Sequence, residues 1–237
     1  MEKTNHHKFC ALIPCAGMGK RSGLSYPKSL FIINKKPILI HILILLSQYT
    51  NNIFVVINKK DEKLFNKVLK KYNFEINFVY QNKPNGMGDA ILKAEKKIKN
   101  YEDILLVWGD IPFIQKKTVD ILFNKYFKSN YDFLFVSRMV KNPYTIVKRD
   151  NKNKIISVKE TKHIKKSISH GERDIGLFIF KKEITFELLK NKYDIKNKEH
   201  GFLYIIEHLV KKNFKIDALT IAKAIETKSL NSVIDLT

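Results

Sequence analysis

Pro14-Cys15-Ala16-Gly17-Met18-Gly19-Lys20-Arg21-Ser22-Gly23-Leu24-Ser25-Tyr26-Pro27-Lys28 decides the fold, because it follows the apolar run from Lys8 to Pro14 and breaks it on closely spaced glycines. Gly17 and Gly19 let backbone N–H groups approach phosphate oxygens, and Arg21 and Lys28 place cations on the same loop. The stretch therefore reads as a strand emptying into a phosphate cradle. It is not a Walker loop, since Gly19-Lys20 is followed by Arg21 rather than Ser or Thr. The dinucleotide pattern also fails, because Ser22 stands at its third glycine.

Working outward, short runs rich in β-branched and aromatic residues recur at Ile53–Ile57, Ile76–Tyr80, Ile104–Trp108 and Phe133–Val136. Between them, helical spacing covers Pro37–Gln48, Asp61–Lys71, Gly88–Ile98 and Thr118–Phe127. Strand alternating with helix predicts an α/β fold, a Rossmann-like and mostly parallel sheet with helices on both faces, with ligands outside the carboxyl ends of the strands. Beyond Phe133 the pattern changes. Tyr144–Lys148 and Lys154–Val158 flank a polar turn and read as a hairpin, the centre of an acceptor-binding lid over residues 139–175. A strand at Leu177–Phe180, helices at Glu183–Lys190 and Gly201–Lys211, and a strand at Phe214–Leu219 complete a single domain over residues 1–237.

Composition bounds the partners. Of 237 residues 44% are hydrophobic, which excludes a disordered chain, and 44 Lys and Arg against 23 Asp and Glu give a net charge of +21 that favours an anionic ligand. The longest apolar run, Pro37–Ser47, is too short to span a bilayer. Cys10 and Cys15 form neither a C-x-x-C pattern nor a disulfide framework, as in a reducing cytoplasm. The histidines show no zinc-binding spacing, and His41, on an apolar helix, reads as a core side chain. Asp110 follows Gly109 at the end of an apolar strand, where a hard oxygen ligand for Mg²⁺ belongs. The competing role is a cap for the helix after Pro112.

Gly-x-Gly-x-Arg followed by Pro-Lys resembles the signature loop of the nucleotide-sugar pyrophosphorylases, nucleotidyltransferases that join a nucleoside triphosphate to a phosphorylated acceptor. Gln81-Asn82-Lys83-Pro84-Asn85-Gly86-Met87-Gly88-Asp89-Ala90 resembles their base-reading loop, Leu106-Val107-Trp108-Gly109-Asp110-Ile111-Pro112 their metal-binding strand end, and Asn231-Ser232-Val233-Ile234-Asp235-Leu236 their closing segment. The chain is most similar to the uridylyltransferases of N-acetylglucosamine 1-phosphate and to small nucleotidyltransferases related to them. The resemblance implies Arg21 and Lys28 as catalytic cations. It implies Ala16, Gly17, Gly19, Gln81, Gly86 and Asp110 at the nucleotide, and Mg²⁺ on Asp110 and Asn231, with Glu226 the alternative to Asn231. It further implies Thr145, Glu160, Asp174 and Tyr204 at the acceptor. The Gln81 amide favours a pyrimidine, and a sugar 1-phosphate is the first choice of acceptor.

Asp174 stands where the sugar enzymes carry Asn, and Thr145 where they carry Gly. An ionised carboxylate only accepts hydrogen bonds, which suits an ammonium or hydroxyl group. That keeps open a cytidylyltransferase acting on a phosphorylated amine, alcohol or amino-acid derivative. A basic nucleic-acid-binding module is the remote rival, and the chain shows no motif for it.

Overall fold

The computed structural model describes residues 8–17, 23–161, 164, 168–191 and 199–230. In chain order the elements are β1 (Phe9–Pro14), β2 (Ile32–Ile33), β3 (Lys36–Pro37), α1 (Ile38–Leu46), β4 (Ile53–Ile57), α2 (Glu62–Lys71), β5 (Asn77–Tyr80), α3 (Met87–Lys93), β6 (Asp103–Val107), α4 (Lys116–Ser129), β7 (Phe133–Lys141), β8 (Thr145–Arg149), β9 (Ile155–Glu160), β10 (His170–Lys181), α5 (Lys182–Lys190), α6 (Ile205–Lys211) and β11 (Ile216–Leu219).

Seven strands form one sheet in the order β11-β7-β10-β6-β1-β4-β5. The central strands β1, β4 and β6 are buried on both faces apart from the ends of β1, as their near-continuous apolar sequences require. Successive residues point to opposite faces, and the core divides accordingly. Ala11, Ile13, Val55 and Leu105 pack toward α1, α2 and α4. Cys10, Leu12, Val56 and Leu106 pack toward α3, α5 and α6. The second face is an aromatic cluster in which Phe133 and Phe180 stack at 5.3 Å between ring centroids and Phe202 meets Phe178 edge-on at 5.3 Å. Helices thus lie on both sides of a mostly parallel sheet, as the alternation predicts. After β4 and β5 build one side of β1, the chain crosses to place β6 on the other. The crevice between the carboxyl ends of β1 and β6 is the topological switch point.

β10 departs from the expected outline. The sequence predicts a short strand at Leu177–Phe180, whereas β10 is 12 residues long and antiparallel to both β6 and β7. Its first half carries Glu172, Arg173 and Asp174, whose charges hide a strand that is buried in the folded protein. Because Leu177 pairs with Val107, residues 170–176 run past the carboxyl end of β6 and overhang the crevice. A bulge between Asp174 and Phe178, with Gly176 at φ +78°, turns that overhang. Other boundaries move for local reasons. Pro37 takes the N-cap position of α1, α3 ends at Lys93, and α6 begins only at Ile205 after a turn. The hairpin of β2 and β3, unread in the sequence, turns on Asn34 and Lys35, both at positive φ. His41, read as a core side chain, is half-buried instead, with its ring N–H donating to the Ile33 carbonyl at 2.8 Å.

The β8–β9 hairpin is tied back to the sheet. Arg149 forks onto Glu172, with Nε and Nη2 donating at 2.7 and 2.9 Å, and also reaches Asp217 at 3.2 Å. Burial works against the Glu172 charge, yet the hydrogen bonds from Arg149 and Ser137 hold its carboxyl below the ordinary range.

Candidate functional site

Gly109 sets the spacing of the site. A methyl group at this position would stand 2.5 Å from Cys15 Sγ and 2.7 Å from the Pro14 carbonyl oxygen, so only glycine lets the end of β6 close on the end of β1. The loop after β1 and the turn carrying Asp110 are thereby brought side by side. Cys15 itself is core, its thiol pushed up to about 12 by burial and therefore protonated and inert.

Lys28 and Asp110 meet through one strap of backbone. Lys28 Nζ donates to the Leu230 carbonyl at 2.7 Å, and the Leu230 N–H donates to the Asp110 carbonyl at 3.1 Å. Asp110 is partly exposed, and burial raises its carboxyl above the usual range against the pull of Lys28 and Arg173. Asp110 does not cap the following helix, which begins at Lys116 with Gln115 at the N-cap position. Among the described residues, no three His, Cys, Asp or Glu side chains gather as a metal cluster. A single half-buried carboxylate suits Mg²⁺, which keeps several waters and takes phosphate oxygens beside one or two protein ligands.

Arg21, Gly19 and Asn231 lie outside the described residues. Ala16 is buried and Gly17 exposed at the start of the loop. Glu226, the alternative metal ligand, has a structural task instead. It is fully buried, and its two oxygens accept the backbone N–H groups of Gln115 at 2.9 Å and Lys223 at 2.8 Å.

Gln81, at the end of β5, is buried, with its amide NH₂ donating to the Gly86 carbonyl at 3.1 Å and to Asp89 at 2.7 Å. Both donors being held, the amide oxygen is the edge it can turn to a base. The chain at His200 crosses this loop, accepting from Gly88 N–H at 2.9 Å and donating to the Asn85 carbonyl at 2.6 Å. Gly86, at φ +105°, has the His200 carbonyl oxygen 2.4 Å from where a Cβ would sit. His200 is also hydrogen-bonded to the Tyr204 hydroxyl at 3.1 Å, linking the 81–90 loop to the start of α6.

The acceptor-side residues differ from expectation at two positions. Thr145 and Asp174 were expected to touch the acceptor, but both side chains are enclosed. Thr145 Oγ1 donates to Asp174 at 2.7 Å and the Gly176 N–H donates to its other oxygen at 3.0 Å, so the pair shapes the wall of the site. Burial raises the Asp174 carboxyl against the hydrogen bond from Thr145. Glu160 pairs with Thr145 across the hairpin. Arg173 is the residue that the sequence reading missed. Only 8% exposed, it lies over the Tyr144 ring with the guanidinium carbon 3.8 Å from the ring centroid. It donates to the Tyr144 hydroxyl and, through Nε, to the Asp174 carbonyl at 3.0 Å. Flanked by Glu172 and Asp174, it gave no signal beyond an ordinary charged run.

The model of the MobA-like NTP transferase domain matches residues 11–173. The chain belongs to that family. This NTP transferase domain is also 31% identical over 230 residues to the bifunctional protein GlmU of Thermodesulfovibrio yellowstonii, covering 95% of the chain and 50% of that protein. It spans about half the length of the curated relatives it matches. Among solved structures, it superposes with a TM-score of 0.74 on a chain from Bacillus anthracis assigned as a glucose-1-phosphate thymidylyltransferase, in complex with a sucrose, at 17% identity over 96% of this chain and 92% of that one. A UDP-glucose pyrophosphorylase complexed with UDP-glucose gives a TM-score of 0.72 at 20% identity, covering 90% of each chain. The fold of the NTP transferase domain is therefore the nucleotide-diphospho-sugar transferase type inferred from its loops.

Proposed function

We propose that the protein transfers a nucleotidyl group from a pyrimidine nucleoside triphosphate to a phosphorylated small molecule, first of all a sugar 1-phosphate, and releases pyrophosphate. The observation that carries this reading is the strap at Leu230, which holds the Lys28 ammonium and the Asp110 turn together at the switch point of an NTP transferase fold. A phosphate monoester is largely a dianion near neutral pH and needs no general base. One of its oxygens attacks the α-phosphorus, the bond from that phosphorus to the bridging oxygen breaks, and pyrophosphate carries the electron pair away. The barrier is mutual repulsion of two polyanions, so catalysis rests on positioning and positive charge. Lys28 and Arg21 supply fixed cations, and backbone N–H groups at Gly17 and Gly19 supply hydrogen bonds. Asp110 and Asn231 would hold Mg²⁺, whose contribution when bound is to neutralise charge on the phosphates. The Gln81 amide oxygen faces a base N–H in this reading, and Glu160 and Tyr204 line the acceptor side.

A pyrophosphate-release screen crossing UTP, CTP, dTTP, ATP and GTP with glucose 1-phosphate, N-acetylglucosamine 1-phosphate, phosphoethanolamine and phosphocholine tests the proposal. Release with a pyrimidine triphosphate and a sugar 1-phosphate, lost in EDTA and restored by Mg²⁺, is the expected result. Preference for the phospho-amines would transfer the assignment to the cytidylyltransferase reading, and no release with any pair would overturn both.

A further inference from the structure

We propose that Arg173 is the acceptor-phosphate receptor, a guanidinium fork fixed on the face of Tyr144 to grip the phosphate monoester that attacks. The inference rests on the transferase reading above and adds a residue and a chemical group to it.

Three independent observations converge. First, Arg173 is only 8% exposed, and although Asp110 and Asp174 lie within electrostatic reach of it, no carboxylate among the described residues sits on its fork. A desolvated guanidinium without a carboxylate on its fork is unfavourable unless an anion arrives. Second, Arg138 on β7 is its register partner, so the two side chains leave the sheet on the same face. Arg138 donates to the Ala222 carbonyl at 2.6 Å, a neutral acceptor, so that face carries two like charges side by side. Third, the Arg173 fork is held but not filled. Nε is bonded to the Asp174 carbonyl and Nη2 to the Tyr144 hydroxyl, which leaves the Nη1 donors with no hydrogen bond among the described residues. A planar fork with two fixed members and one open edge suits a tetrahedral oxyanion.

Topology selects which phosphate. Along the carboxyl edge of the sheet the order is β5 with the base loop, then β4, β1 with the glycine loop, β6 with Asp110, and β10 with Arg173. A triphosphate lying from Gln81 toward Asp110 has its α-phosphorus between them and β10. The incoming phosphate then approaches from the β10 side, where the overhang of residues 170–176 places Arg173 within electrostatic reach of Asp110. Lys28 lies on the β1 side, so the two cations grip different reactants.

The test uses the full chain and the variants Arg173→Gln and Arg173→Lys. With the acceptor that the wild type uses best, R173Q raises the acceptor KM by about 10- to 100-fold, the loss of one charged hydrogen-bonding group. The KM for the triphosphate stays within about twofold. R173K, keeping the charge without the fork, falls between the two. Calorimetric titration with inorganic phosphate, which needs no turnover, shows binding to wild type that R173Q loses, while Mg²⁺–UTP binds both alike. An unchanged acceptor KM and unchanged phosphate binding overturn the proposal, as does a rise confined to the triphosphate KM. Should R173Q fail to fold, an unaltered acceptor KM in R173K overturns it equally. Wild type that releases no pyrophosphate with any pair refutes the transferase reading, and the phosphate titration still decides the role of Arg173.

Discussion

Asp110 and Asp174 are both carboxylates that burial pushes upward, but they are held differently. Asp174 has one oxygen bonded to the Thr145 hydroxyl and the other to the Gly176 N–H, whereas the charge of Asp110 is met by Lys28 and Arg173 at a distance and by its own backbone. Replacing Asp110 by Ala is expected to lower kcat by at least about a hundredfold in the pyrophosphate assay, with the fold retained. Asp174→Asn tests the other group. Its carbonyl oxygen still accepts from Gly176 N–H, and its NH₂ donates to Thr145, whose hydroxyl can reverse, so the variant folds. A raised pKa means that the folded protein binds the proton more tightly than the unfolded chain. The charged form therefore lowers stability above that pKa, and the penalty fades as pH falls toward the ordinary value of about 4. Thermal unfolding should thus find D174N more stable than wild type by a few degrees at about pH 8, with the gap closing as pH falls. A gap that widens in acid refutes this account.

At the scale of elements, the bulge in β10 is the device that lets one strand serve both sheet and site. Gly176 occupies the left-handed region, and a Cβ there would come within 2.5 Å of Ile111 and 2.8 Å of the Trp108 ring. Gly176→Ala should cost about 1–3 kcal/mol in urea unfolding and lower turnover as well, since Asp174 and Arg173 move with the bulge. Arg149→Met removes the tie between the hairpin and β10 and leaves Glu172 without its cation, at a cost of about 1–3 kcal/mol for a pair that is only partly solvent-exposed. The strands and helices were legible because β1, β4 and β6 are short apolar runs and the helices show their period. The first half of β10 was not, because Glu-Arg-Asp reads as a solvated face until Ser137, Arg149 and Thr145 come from elsewhere to bond it. In the site, glycine spacing and an Asp at a strand end were readable as sequence. The burial of Thr145 and Asp174, the backbone duty of Glu226 and the seating of Arg173 on Tyr144 depend on contacts between distant segments, so local sequence carried no trace of them.

Over the whole molecule the surplus of 21 positive charges is a long-range field rather than a binding site. It should speed the arrival of polyanionic substrates, so kcat/KM for the triphosphate is expected to fall between about 50 and about 300 mM salt while kcat holds nearly steady. Retention on duplex DNA at about 0.15 M salt, in preference to triphosphate binding, would instead favour the nucleic-acid rival. The glycine loop, the 81–90 loop and Asp110 all precede β7, whereas Tyr144, Glu160, Arg173 and Tyr204 all follow it. Because β10 is inserted antiparallel beside β6, Arg173 on the later tract comes to lie beside Asp110 on the earlier one. On the proposed reading, a change of acceptor therefore needs edits only in the later tract of chain, with the glycine loop and Asp110 left as they are. The boundary between the two tracts marks where a designer would cut to graft a new clientele onto the old engine.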